Sequence, residues 1–346
     1  MAVGRSRTLL VIPAIASLLA ACATVPAAKV MHTSPATLSS SPESRTASAA
    51  PPTSSPATSS DAASSGIDLS SLTGRILFSA GPPHGEDIYS VAASGSDLQR
   101  LTTDPDADFD PSGSPGGQVA YRHQPGDGYS TDVYVMNSDG TGSHNISTSD
   151  GVSDWGPAWS PDGSLIAWNS DREDPGRLHG YVMNPDGSHV RRIGGDIWVE
   201  YPAWSPDGSR IAFMAQEPGA SGDDPDYNIN VMNADGSGIA KLTDFPGDDG
   251  FPAWSPDGTK IAFSSTRDDS GQQHSGAAFR VYVMNADGSD ETLLVDTFGQ
   301  FADWSPDGHY IVFDGADGLN VIRADGSGLT SISLGLGYAA FPDWMR

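Results

Sequence analysis

Residues 251–263 read FPAWSPDGTKIAF, and the same phrase returns as YPAWSPDGSRIAF at 201–213 and FADWSPDGHYIVF at 301–313. A further opening, Phe341-Pro342-Asp343-Trp344, starts the phrase once more near the end of the sequence. Quartets of Ser-Pro-Asp-Gly begin at Ser160, Ser205, Ser255 and Ser305, with a degenerate copy at Ser114-Pro115-Gly116-Gly117, so the spacing is 45 to 50 residues. A second signature falls inside each period: YVMNSDGTG at 134–142, YVMNPDGSH at 181–189, VMNADGSG at 231–238 and YVMNADGSD at 282–290. Periodicity on this scale decides the architecture before local propensity does.

Each period reads as four short strands. The first is the PAWS type. Next comes Ser-Pro-Asp-Gly, in which proline presets φ, the aspartate caps locally and glycine takes the exit geometry. The second strand is the IAF type and the third the YVMN type, which closes in an Asp-Gly hairpin turn. A run such as AKLT (240–243) supplies the fourth. No segment holds a helical period, and no unit can bury both faces of so small a sheet alone, so the units must stack. The expectation is an all-β protein, a six-bladed β-propeller of four-stranded antiparallel blades. Second, third and fourth strands occur six times, beginning with GRILFSA (74–80), yet the first unit has no inner strand of its own. The run 341–344 supplies it, so the C-terminal strand joins the first blade and closes the ring.

The unit PAWSPDGxxIAF…YVMNADGSG…LT resembles the TolB-type, WD-repeat-like propeller family over about residues 74–346. Family members of the Tol–Pal envelope system carry an α/β domain ahead of the propeller and bind envelope partners through it. Here the resemblance implies a propeller that binds partners, with a leader and tether in place of the α/β domain.

Residues 1–21 read as a lipoprotein signal peptide. Arg5 and Arg7 precede the apolar run LLVIPAIASLL (9–19), which is short for a membrane span. Leu19-Ala20-Ala21-Cys22 resembles a bacterial lipobox, which implies that Cys22, the only cysteine, carries diacylglycerol. Residues 22–66 are then an Ala/Ser/Thr/Pro tether, expected to be disordered for want of large apolar side chains and to span about 35–40 Å. Residues 67–346 form the propeller. The protein is therefore expected on the extracytoplasmic side of a membrane, reached through the lipid alone, and as a monomer.

The net charge of −26, from 44 acidic and 18 basic residues, excludes nucleic acid and flat docking on anionic lipid. Nine of the aspartates sit in the two repeated turns, and so are structural.

Strand alternation puts the repeated short turns on one face of the ring and all the variable loops on the other. Binding chemistry concentrates on variable loops held by a rigid scaffold. The candidate binding residues on that face are Trp155, Trp198, Arg172, Arg267, Tyr129, Tyr227, Asp248, Asp249 and His274. For the two tryptophans packing between blades weighs as much as ligand contact, and for the two arginines a salt bridge to neighbouring acids weighs more. Asp104, Asp106, Asp108 and Asp110 alternate along DPDADFD and could gather oxygen ligands for Ca2+, although a strand would place all four on one face and Pro111 replaces the glycine of an EF-hand loop. No cofactor is otherwise expected.

No Gly-x-Ser-x-Gly elbow, His-Glu-x-x-His motif or free catalytic cysteine occurs. His179 and His274, both on loops between second and third strands, could approach a metal across the channel mouth, but solvated loop histidines are the stronger reading. The first function expected is a membrane-anchored scaffold binding a protein or glycan of the cell envelope. The alternative is a propeller enzyme, a polysaccharide lyase or hydrolase using loop carboxylates and a divalent cation. A third possibility is a ring that serves only as a stable plug.

Overall fold

The repeated quartet is a self-contained cap. In the computed structural model, Ser205 Oγ donates to Asp207 Oδ1 at 2.6 Å and accepts from the Arg210 amide at 2.9 Å. Asp207 Oδ1 also accepts from the Ser209 amide at 3.0 Å, and Gly208 closes the turn at φ 70°, where a side chain is disfavoured. Identical bonds recur at Ser160, Ser255 and Ser305. In blades 3 to 6 the inner strand is thereby turned back onto the second strand without help from the rest of the fold.

The structure describes residues 66–126, 128, 130–148, 151–216, 227–267 and 278–346. Gly66–Arg346 forms one compact unit. The Cys22 lipobox, the leader and the tether to residue 65 lie outside the described residues.

Six four-stranded antiparallel sheets follow one another, each running from an inner to an outer strand. Blade 1 has Ala339–Trp344 innermost, followed by Arg75–Ala80, Asp87–Ala92 and Gln99–Arg100. Blade 2 is Ala107–Gly113, Gln118–Gln124, Asp132–Asn137 and His144–Asn145; blade 3 is Asp154–Trp159, Ile166–Ser170, His179–Met183 and Arg191–Ile193. Blade 4 comprises Glu200–Trp204, Arg210–Gln216, Tyr227–Asn233 and Ala240–Lys241. Blade 5 comprises Asp249–Trp254, Lys260–Ser265, Arg280–Asn285 and Thr292–Leu293. Blade 6 comprises Gln300–Trp304, Tyr310–Gly315, Gly318–Arg323 and Thr330–Ser331. Closure is as expected: Ile76 pairs with Trp344, Leu77 with Asp343 and Ala80 with Ala339.

The core lies between blades. Ala167, Val182 and Ile193 of blade 3 pack on Trp204, Ile211, Phe213 and Met232 of blade 4, and similar clusters fill the other seams. The repeated tryptophan also forms a polar clamp. Trp204, Trp254 and Trp304 each donate Nε1 to the carbonyl of the preceding blade's inner-strand alanine (Ala158, Ala203, Ala253) at 3.2 Å. Trp344 donates instead to the Thr73 carbonyl at 3.1 Å. The hairpin glycines are held by crowding as well as by turn geometry. A Cβ on Gly187 would lie 2.4 Å from the Ile146 carbonyl of the previous blade, and one on Gly288 2.7 Å from that of Leu242.

Every inner strand carries a register shift. At each shift one residue has positive φ: Asp110 51°, Gly156 56°, Tyr201 46°, Phe251 56°, Phe301 49° and Phe341 54°. Five of the six are not glycine, so the left-handed backbone stores strain that the surrounding ladder must hold. The bulge governs what lines the channel.

Candidate functional site: the channel and the variable face

The bulged residues place an aromatic belt across the channel. Phe301 contacts Phe251 and Phe341 at centroid distances of 4.2 and 4.1 Å, Tyr201 meets Phe251 at 4.8 Å, and Phe109 approaches Phe341 at 6.4 Å. Where blades 2 and 3 lack an aromatic at this slot, Asp110 ion-pairs with Arg122 at 2.8 Å, and Arg122 lies over Phe109 and Trp155. Gly156 leaves room for Tyr201, whose ring carbon would be 3.3 Å from a Cβ there.

Between this belt and the uniform turns lies a chamber of about 250 Å3, walled mainly by the proline, alanine and tryptophan of the inner strands. Besides Asp110, which is paired with Arg122, two carboxylates interrupt that wall, Asp303 and Asp343, with Arg346 4.0 Å from Asp303. Asp303 Oδ2 accepts from the Trp344 amide at 2.7 Å, and Asp343 Oδ1 from the Gly113 amide at 3.2 Å. Burial, with the neighbouring Asp303 charge, pushes Asp343 up to about 8. Sequence reasoning missed this pair, although the signal was present: Asp303 and Asp343 stand where Ala158, Ala203 and Ala253 stand elsewhere.

On the variable face, acids stand in the first two positions of four inner strands: Asp108, Asp154, Glu200 and Asp249. In blade 3, Asp154 accepts from Arg172 at 3.1 Å and from Trp168 Nε1 at 3.1 Å. In blade 5, Arg267 ion-pairs with Asp249 and also with Glu291. Each arginine is steadied by the serine two residues before it, Ser170 or Ser265, which accepts from its amide and Nε. Asp154 and Asp249 are buried at 0 and 1% exposure, so these partners come from the neighbouring inner strand, not from the acids beside each arginine in sequence. Such buried pairs fix geometry; breaking one leaves an uncompensated charge.

Blade 2 differs. Asp108 is wholly buried and its Oδ1 lies 2.8 Å from His123 Nδ1. Asp106 Oδ2 is 3.5 Å from His123 Nε2, and the His123 ring lies 4.5 Å from that of Tyr134. One ligand atom from each of Asp104, Asp108 and His123 falls within 4.8 Å of the others. Burial pushes Asp108 up. Burial also works against a charged His123, but the Asp108 hydrogen bond and nearby acids outweigh it and raise its pKa. The alternating aspartates therefore do not act as one face of a strand. The strand begins only at Ala107, Asp104 and Asp106 precede it, and the bulge turns Asp110 to Arg122. His123, absent from the sequence reading, takes the place Asp110 was expected to hold.

The remaining candidates are distributed around the ring. Half-buried Trp155 covers Arg122. Trp198 donates Nε1 to Glu200, which burial raises to about 7. The Tyr227 amide donates to Asp248 Oδ1 at 3.2 Å, which joins two of the predicted residues, and the Asp248 amide donates to Thr266 Oγ1 at 2.8 Å. His179 is not a loop histidine: it opens the third strand of blade 3, is 2% exposed, and is held low by burial and the adjacent Arg192. Tyr129 and His274 lie outside the described residues.

No curated protein sequence matches this chain. A family profile described as "TolB beta propeller domain" matches residues 111–222 and 197–314. Among solved structures, TolB from Acinetobacter baumannii superposes with a TM-score of 0.62 at 20% identity, over 80% of this chain and 67% of that one. A putative TolB from Agrobacterium tumefaciens gives 0.58 at 19%, over 76 and 90%. A chain of a nidogen/laminin complex gives 0.60 at 13%, over 78 and 97%. At these identities the superpositions speak to the fold alone, but the profile spans more than half of the sequence, and the repeat, the six blades and the strand that closes them agree with it: this chain belongs to the TolB β-propeller domain family.

Proposed function

We propose that this chain is an extracytoplasmic scaffold, tethered to a membrane through a lipid on Cys22, whose propeller binds an envelope protein or glycan on its variable face. The observation that carries the proposal is the inequality of the two faces. On one, the same capped turn recurs at Ser160, Ser205, Ser255 and Ser305. On the other, the blades differ: His123 meets Asp108 in blade 2, arginines Arg172 and Arg267 answer buried aspartates in blades 3 and 5, and Trp198 donates to Glu200 in blade 4. A partner that must tell this ring from other propellers has only the second face to read. The superposed TolB and nidogen/laminin chains are compatible with a protein partner.

The test is capture from an envelope extract by the immobilised full chain, compared across variants. Trp198→Ala should reduce capture at least tenfold, and Asp257→Ala, in a turn of the other face, should leave it intact. The reverse pattern would move the site to the uniform face. The enzyme reading has one observation in its favour, the Asp303–Asp343 pair, of which Asp343 stays protonated near neutrality, as a general acid must. Turnover of a glycan panel, lost in Asp343→Asn, would establish that reading in place of the scaffold.

A further inference from the structure

Comparison of the blades with one another isolates blade 2. Asp154 and Asp249 open their inner strands and Asp108 is the second residue of its own, and they pair across the ladder with Ser170, Ser265 and His123 respectively. In blades 3 and 5 the serine positions an arginine two residues on, and the guanidinium answers the buried acid. In blade 2 the serine is replaced by His123 and the arginine by Pro125. The fixed positive charge is gone, and two more carboxylates, Asp104 and Asp106, have come beside the imidazole. The one arginine on this strand, Arg122, is committed to Asp110 in the channel.

The outcome is a pocket richer in donors than in cations. Asp108 is 0% exposed and no hydrogen bond reaches its Oδ2 among the described residues, although the Thr102 hydroxyl is near enough to favour the charged carboxylate, while His123 is 9% exposed. Asp104, the remaining member, is exposed, and its Oδ1 accepts from the Asp106 amide at 3.1 Å, a bond that rotation toward an ion would give up. Nearby, Asp87 meets Arg100 at 2.7 Å through Oδ2, and its buried Oδ1 also lacks a hydrogen-bond partner among the described residues. A wholly buried carboxylate oxygen without a partner is costly, and the ring does not need one here. The equivalent inner-strand slots in blades 4, 6 and 1 hold Val199, Gly299 and Ala339.

We propose that Asp104, Asp108 and His123 bind a divalent first-row transition-metal ion at the junction of blades 1 and 2 on the variable face. Donors about 2.0–2.2 Å from an ion sit closer together than the present 4.8 Å limit, and rotation of Asp104 supplies the contraction. Two carboxylates with an imidazole suit zinc or manganese, whereas calcium takes oxygen ligands alone. Asp106, whose Oδ1 accepts from the Gly126 amide at 2.8 Å, keeps Oδ2 toward His123 and can support or complete the set. The inference does not depend on the scaffold reading, because it concerns an ion and not the partner.

The experiment uses the full chain in a Cys22→Ser background, so that no thiol competes, stripped with chelator and titrated by calorimetry with Zn2+, Mn2+ and Ca2+ alone. One Zn2+ per chain is expected, with weaker Mn2+ and the weakest response to Ca2+. Affinity should fall at least tenfold in His123→Ala and in Asp104→Asn, and stay unchanged in His144→Ala, an exposed histidine of the same blade. Because Asp104 is exposed, its variant keeps the test valid if His123→Ala fails to fold. Co2+ adds a spectroscopic check: visible bands that shift or vanish in His123→Ala place a nitrogen in the ligand set. Zn2+ affinity equal in wild type and Asp104→Asn, or Ca2+ binding as tightly as Zn2+ and surviving His123→Ala, would overturn the proposal.

Discussion

Replacement of Trp344 by alanine should weaken the ring in a way that no other repeat tryptophan can reproduce. Trp344 is 1% exposed, packs on Ile76, Phe78 and Val312, and donates Nε1 to Thr73 at 3.1 Å. Truncating a buried tryptophan costs about 3–5 kcal/mol through lost transfer energy and the cavity left behind. The hydrogen bond to Thr73 places Trp344→Ala toward the upper part of that range. For a unit the size of Gly66–Arg346, an unfolding entropy of about 0.6 kcal/mol/K turns this into a fall in Tm of about 7–8 °C. Trp254 provides the control, because it is equally buried and makes the equivalent bond to Ala203 at 3.2 Å. Its global cost should be similar.

The difference lies in what opens first. Around Trp254 the inner strand and its neighbour stay joined by the short turn Ser255–Gly258, so local separation achieves little. Trp344 and Thr73 stand 271 residues apart in sequence, and only the ladder and side-chain packing hold Ala339–Trp344 against Arg75–Ala80. Hydrogen exchange resolves this. In Trp344→Ala, amides of Arg75–Ala80 should exchange at least tenfold faster than the global loss accounts for, and the freed strand edge should promote self-association. In Trp254→Ala all blades should lose protection together. Equal exchange patterns in the two variants, or a Tm loss under about 2 °C for Trp344→Ala, would refute the argument that closure is the ring's separable joint.

Arg267→Ala strands Asp249 at 1% exposure and should cost about 3–5 kcal/mol in chemical denaturation, while Arg267→Met with Asp249→Leu should recover most of it; a double variant as weak as the single would deny the pair its structural role. Stability should also pass through a maximum between about pH 4 and 6. Hydrogen bonds from Ser205 and Ser209 hold Asp207 down at about 2, so the folded state binds fewer protons than the unfolded, and that contribution is lost as pH falls from about 4 toward 2. Burial raises Glu200 to about 7 and Asp343 to about 8, so their contribution is present at low pH and lost as pH rises through those values. Tm measured across this range should therefore fall on both sides, and a steady rise from pH 5 to 8 would contradict the assignment.

The fold was legible because its determinants are local and repeated. Ser-Pro-Asp-Gly turns cap themselves within six residues, so a reader who sees the quartet five times has the inner hairpins. Counting strands then assigns Phe341–Trp344 to blade 1. The bulges were not legible, because positive φ at Tyr201, Phe251, Phe301 and Phe341 has no signature in residue type; aromatic side chains ordinarily avoid that region. That is why the aromatic belt across the channel was not foreseen. His123 escaped for a related reason. Its contact with Asp108 spans 15 residues across a ladder whose register shifts between Phe109 and Ser112, so alternation along DPDADFD assigned the wrong neighbours.

Six copies in one chain also serve as controls on each other, and the departures from the common pattern gather in blade 2. Blade 2 has Gly113 where five blades have tryptophan, Gly116 where four turns have aspartate, Asp110 where four blades have an aromatic, and His123 with Pro125 where blades 3 and 5 have serine and arginine. The missing tryptophan is not simply lost packing. A Cβ on Gly113 would meet Met345 Cγ at 3.0 Å, Asp343 Oδ1 at 3.3 Å and Leu77 Cδ1 at 3.4 Å, so blade 1 has grown into the space, and the Gly113 amide is free to bond Asp343. The chamber acid and the glycine therefore belong to one adaptation. The joint between blades 1 and 2 is thus without the tryptophan-to-carbonyl clamp found at Trp204, Trp254 and Trp304, and at the joint between blades 2 and 3 the buried Trp159 Nε1 has no partner among the described residues. The cluster of Asp104, Asp108 and His123 stands on the first of these joints, beside Asp87 of blade 1. An ion bound there would cross-link a connection and two strands of blade 2 where the repeat's own fastening is absent. The most divergent blade is then also the one in which a ligand would do most for the ring's rigidity.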